Sequence, residues 1–188
     1  LSLYALRKFL RLAVAGNPTI LIPLFAQGDA VVVTTPLGEE LRALTPGILS
    51  RAAGWRFLGY LDGQRQRLMG GGRRSRVPNR PELVERHGYD TKYASHALRL
   101  GRQGVELATT GRLSLPLRSG DLEQCLAVKR GELGFAEALA LVDAARAELH
   151  SVLLGGRCVL PDEPDRARVL ADLTDWLARL PTAARSPA

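Results

Sequence analysis

Lys92, His96 and Arg99 follow one another at intervals of four and three residues, and Gln103 continues the series four residues further on. On an α-helix, at about 100° per residue, these four positions fall within about 60° of one another. Cations stacked at such spacing repel each other by a few tenths of a kcal/mol per pair. No carboxylate shares the strip to offset that repulsion. An anion with several oxygens, such as a triphosphate, would. Arg99 suits bidentate contact with phosphate, Lys92 acts as a compact point charge, and His96 can donate from either ring nitrogen. The alternative is a solvated basic face, or cations paired with acids elsewhere in the fold. The other two histidines lack such company: His87 sits beside Gly88, His150 lies near a helix end, and neither has metal-ligand spacing with a second His, Cys or carboxylate.

The strip needs a helix to hold it. Asp90 or Thr91 can cap one that runs to about Thr109, and Gly111 stops it. Tyr93, Ala94, Ala97, Leu98, Leu100, Val105 and Leu107 fill most of the remaining circumference, so this helix is apolar on most sides and its polar strip must face water or a ligand.

The elements around it also read as helical. Ser2 can cap a first helix, with Leu3, Leu6, Phe9, Leu10, Ala13 and Val14 at helical spacing. Gly16-Asn17-Pro18 ends that helix and opens a short apolar piece, residues 19–26. Residues 31–34 are β-branched and predict a brief strand. Pro36 opens a short helix, and Pro46 a longer one to about Met69. Residues 70–81 read as a mobile basic loop whose arginines are either solvated or in contact with an RNA backbone. A turn or two follows Pro81. After Gly111, residues 112–117 alternate like a strand, limited by Pro116. Further helices are expected from Ser119 or Asp121 to Arg130, from Phe135 to Leu154 and from Asp165 to Leu180. Together, residues 1–180 predict a single, mainly α domain with one or two short strands, and residues 181–188 a frayed tail.

Composition bounds the alternatives. With 46% hydrophobic residues and only 5% aromatic ones, the core must rest on Leu, Val and Ala, which favours helix. The formal charge is +7 and the pI about 10.1. That implies either a solubilising surface or affinity for phosphates, nucleic acid or anionic lipid. Cys125 and Cys158 form no CxxC pair, so neither a zinc site nor a disulfide framework is indicated. No apolar run approaches the ~20 residues that would span a bilayer, and no signal-peptide block is present, so a cytoplasmic protein is expected.

The segment RPELVERHGYDTKYASHALRLGRQGVELATTGRL resembles the diagnostic region of predicted nucleotidyltransferases of the DNA polymerase β superfamily, in the branch associated with RNA repair. The pattern there is approximately GYDTKxAxHxxRLxRxGxExLxTG, and the match runs from Gly88 to Gly111. LYALRKFLRLAVAGNPTILIPLF is similar to the family's helix and Asn-Pro-Thr turn, and Leu126 to Glu132 loosely to an IRxGE element, with Val128 and Lys129 at the Ile and Arg positions.

The resemblance implies the helical C-terminal part of an α+β nucleotidyltransferase. Its partners would be an NTP and a hydroxyl acceptor such as RNA, and its cofactor Mg²⁺. It implies substrate contacts at Lys92, His96 and Arg99, with Lys8 and Asn17 as secondary positions. In the family a Gly-Ser turn and an Asp-x-Asp pair on strands upstream of the first helix hold the metal. This sequence has no Gly-Ser followed by Asp-x-Asp, and it begins at that helix. The expectation is a truncated chain or a shortened homologue, sticky or marginal in stability. Asp162-Glu163-Pro164-Asp165 reads as a helix start rather than a metal site. Two other functions stay open: a non-catalytic nucleotide- or RNA-binding module, and a helical protein–protein module.

Overall fold

In a computed structural model the described residues are 4–71 and 80–179. They form α1 (Leu6–Val14), α2 (Pro18–Phe25), a 3₁₀ turn (Gly28–Ala30), α3 (Pro36–Ala43), α4 (Thr45–Ile48), α5 (Arg51–Leu68), α6 (Pro81–His87), α7 (Thr91–Thr110), α8 (Ser119–Arg130), α9 (Phe135–Leu154) and α10 (Arg166–Ala178).

The centre is α7, packed against α5, α9 and α8. Two of its glycines explain how closely. A Cβ on Gly101 would meet Ala145 of α9 and Leu61 of α5, and one on Gly104 would meet Leu149 and Phe57. Bare backbone therefore lets three helices approach at one line. The order of these partners makes α5 antiparallel to α7 and α9 parallel to it. Phe57, Leu61, Leu98, Leu107, Val142, Leu149 and Val152 are sealed from solvent around this line, each contributing roughly 1.5–3 kcal/mol of burial.

Local signals set the ends of α7. The Asp90 carboxylate accepts from the backbone N–H of Lys92 (3.0 Å) and Tyr93 (3.1 Å). Gly88 and Gly111, on either side, adopt left-handed conformations, which glycine reaches without steric cost. Arg80 holds Asp90 at 3.0 Å and lies over the Tyr93 ring. The Tyr89 hydroxyl donates to the Leu133 carbonyl at 2.9 Å, tying the start of α7 to the turn before α9.

Several sequence expectations are corrected here. No strand forms among the described residues. Residues 31–35 are irregular, with Val32 and Val33 exposed and no partner strand to pair with. In residues 112–117 the polar groups turn to a helix instead: Ser114 donates from its backbone N–H (2.9 Å) and its hydroxyl (2.5 Å) to Glu106 of α7. The helix expected from Pro46 to Met69 breaks into α4 and α5. Ser50 is extended there, and the Arg51 N–H is taken by the Pro161 carbonyl at 2.8 Å. The cap at Ser2, most of the basic loop 70–81 and the tail 181–188 lie outside the described residues. No described helix is long and apolar enough to cross a membrane.

Candidate functional site

The outward strip of α7 is open over its first half and closed over its second. Lys92 and Arg99 are exposed and His96 is half-buried. Gln103 is not open to water: it is 2% exposed, and its Oε1 has no hydrogen-bond partner. Helical periodicity placed these four on one line, but the packing covers the far end of it. Gln103, read as facing water or a ligand, is thus shut off from water.

His96 is the hinge between the open and covered parts. Its imidazole is held below the ordinary histidine range, first by burial, then by the positive charges of Arg99 and Arg67. Arg67, near the end of α5, had no signal in the α7 periodicity. Antiparallel packing of α5 on α7 brings it to the strip, and only that non-local contact reveals it. Lys92, Arg99 and Arg67 make no ion pair with any described residue.

The neighbouring arginine differs. Arg102 is spent on Asp121 (3.2 Å), Glu148 (3.3 Å) and Gln124 (3.0 Å), locking α7 to α8 and α9. Cys125 sits in this cluster, its thiol pushed up to about 11 by burial and by Asp121, against the opposing pull of Arg102 and Arg99. A thiol held protonated in this way is unreactive. Both cysteines are free, Cys125 buried and Cys158 half-buried.

The secondary positions fall elsewhere. Lys8 is exposed on α1, its ammonium over the Tyr4 ring at 5.2 Å, and α1 packs chiefly on α2. Asn17 caps α2, accepting from the Thr19 and Ile20 N–H groups, and its amide donates to the Tyr60 hydroxyl at 3.0 Å. Its local role is the turn that its place before Pro18 predicts.

A divalent metal needs clustered carboxylates. Among the described residues no group of three or more His, Cys, Asp or Glu stands close enough to hold one. Asp162 pairs with Arg51 at 2.9 Å, and the Asp165 carboxylate accepts from the Arg168 N–H at 3.0 Å, starting α10. The described residues therefore bring together no carboxylate cluster that fits an Mg²⁺ centre.

A family model described as the RNA repair pathway DNA polymerase beta family matches residues 1–151. No curated protein and no solved structure matches the chain.

Proposed function

Since this chain belongs to the RNA repair pathway DNA polymerase beta family, we propose that it handles the triphosphate of an NTP whose nucleotidyl group is transferred to a hydroxyl acceptor, an RNA end being the acceptor the family's role favours. One observation carries this reading. The positive charges of Arg99 and Arg67 act on the half-buried His96, and neither they nor Lys92 has a carboxylate partner among the described residues, while Arg65 and Arg102 of the same helices are paired. Concentrated positive charge at a partly desolvated histidine is destabilising until an anion arrives.

In this reading Arg99 and Arg67 grip phosphate oxygens from two helices, Lys92 adds a third charge, and His96 donates a hydrogen bond as it gains a proton. Gln103 is left out of the phosphate contacts because its side chain does not reach water. Mg²⁺ would supply charge neutralisation and activation of the hydroxyl in this family's chemistry. No group of three or more potential metal ligands stands together among the described residues.

The test is calorimetric titration of the chain with ATP and the other NTPs, with and without Mg²⁺, beside Arg99→Ala and His96→Ala. Saturable binding weakened by either substitution supports the reading. Binding that ignores both substitutions sinks it, and so does a protein that binds no NTP.

A further inference from the structure

The outward face of α5 carries a pattern that the α7 site does not use. Ala52, Arg56, Tyr60, Gly63 and Arg67 are spaced four, four, three and four residues apart, so they share one side of the helix. At about 1.5 Å per residue they extend over about 22 Å. Arg56 and Arg67 are exposed and have no ion-pair partner among the described residues. Tyr60 is 37% exposed, and its ring is pinned by the Asn17 amide on its hydroxyl. Gly59 and Gly63 lie along the same stretch, and a Cβ on either would meet nothing within 4 Å. Each costs about 1 kcal/mol of helix propensity against alanine, and no packing against the described residues explains them. Bare backbone beside arginines and a fixed aromatic ring leaves room for a ligand to lie close.

At its N-terminal end this face opens into a cavity of about 760 Å³ between α1, the start of α5 and α10. Leu10, Val14, Leu170 and Leu173 give it apolar walls, Arg11 and Arg56 line it as well, and so do the carboxylates of Glu163 and of Asp162, the latter paired with Arg51. Ser50 also lines it. That side chain is 1% exposed, and its hydroxyl has no hydrogen-bond partner. A buried, unsatisfied hydroxyl in a cavity wall is costly unless something completes it. The α10 wall lies beyond the matched residues 1–151, and it is held to α4 by the Asp165 N–H on the Gly47 carbonyl at 2.9 Å.

We propose that the outward face of α5 is a binding track for a single strand of RNA, with one nucleobase seated in this cavity. Arg56 and Arg67 take backbone phosphates and Tyr60 stacks a base. Ser50 hydrogen-bonds the base held between Val14 and Leu170. Aromatic stacking combined with cations along a groove is how single strands are held without sequence readout. The track meets the α7 site at Arg67 and otherwise stands apart from it, so it does not depend on NTP binding there.

The experiment is fluorescence anisotropy of a short fluorescein-labelled oligouridylate against the full chain across a salt series, with NTP titration in parallel. Gly59→Glu places a carboxylate on the track without any internal clash, so it should melt no lower than the parent and bind RNA roughly ten-fold more weakly. Tyr60→Ala should lose roughly ten-fold, and Arg56→Ala should reduce the salt slope by about 1. Leu170→Glu, at an exposed position on the cavity wall, should also weaken RNA. NTP binding should be unchanged in all four. The track is overturned if RNA binds all four variants as it binds the parent, if polyglutamate of matched charge competes as well as RNA, or if RNA does not bind while NTPs do. RNA binding that fails in these variants, in a protein that binds no NTP, would support the track and reject the α7 reading instead.

Discussion

Two edges of α5 carry arginines, and they treat them in opposite ways. On the edge facing α9, Arg65 meets Asp143 (2.5 Å) and Arg146 meets Asp62 (2.6 Å), a quartet bordering a cavity of about 470 Å³. Each arginine there is held more firmly in its charged form by its own carboxylate, and Arg65 brings Asp143 below the usual carboxylate range. On the edge facing the strip of α7, the positive charges of Arg67 and Arg99 both act on the half-buried His96, which with burial favours its neutral form. The first edge is electrically closed and joins two helices. The second is open and has no ion-pair partner among the described residues. Arginine content alone therefore says nothing about binding; the difference is whether the facing helix supplies a carboxylate.

The largest effect that would break this comparison is on ligand binding at the open edge. Replacing both Arg67 and Arg99 by alanine should weaken NTP binding by at least roughly a hundred-fold, because each charged hydrogen bond is worth about 1.5–3 kcal/mol. The melting temperature should hold or rise, since a repulsion is removed. Calorimetry and a thermal melt on the same sample test both halves; a lowered melt with intact binding would make these arginines structural.

The closed edge should show the reverse at smaller size. Asp143→Ala leaves Arg65 unpaired, but both side chains are a third or more exposed, so solvent screens the loss to about 0.5–1 kcal/mol. A melt lower by about 1–4 °C is expected, with NTP affinity unchanged. The depressed carboxylate of Asp143 contributes stability above its ordinary range near pH 4, and that contribution is lost as acid protonates it. A change in NTP affinity in this variant would show that the two edges are coupled.

The smallest effect is the proton on His96. Its pKa is lowered in the fold, so stability is full above the ordinary histidine range near 6.5 and declines as pH falls through the folded value. A bound triphosphate reverses the local charge, so NTP affinity should rise a few-fold from about pH 7.5 to 6. Titrations in two buffers of different ionisation enthalpy should detect proton uptake, and His96→Gln should abolish it. Affinity that is flat with pH would remove His96 from the contact.

Of the double substitution, Arg99 and the helix that carries it are legible in the sequence, and Arg67 is not. The Asp90 cap, the glycine stop at 111 and the Phe135–Leu154 helix are written locally, and the structure keeps them. The alternation of residues 112–117 misled because Glu106, eight residues before Ser114, satisfies the polar groups a strand partner would have taken. The long helix from Pro46 misled because Pro161, far along the chain, captures the Arg51 N–H.

The sequence by itself determined that the chain is helical and that Lys92, His96, Arg99 and Gln103 lie on one line, since both follow from spacings of three and four residues. Only the tertiary structure decided that this line is open at Lys92 and sealed at Gln103, that Arg102 is neutralised while Arg99 is not, and that Arg67 joins the site. Helical periodicity is set by hydrogen bonds between near neighbours. Burial and charge pairing are set by helices that meet across dozens of residues, and nothing in the local spacing specifies which face they bring together.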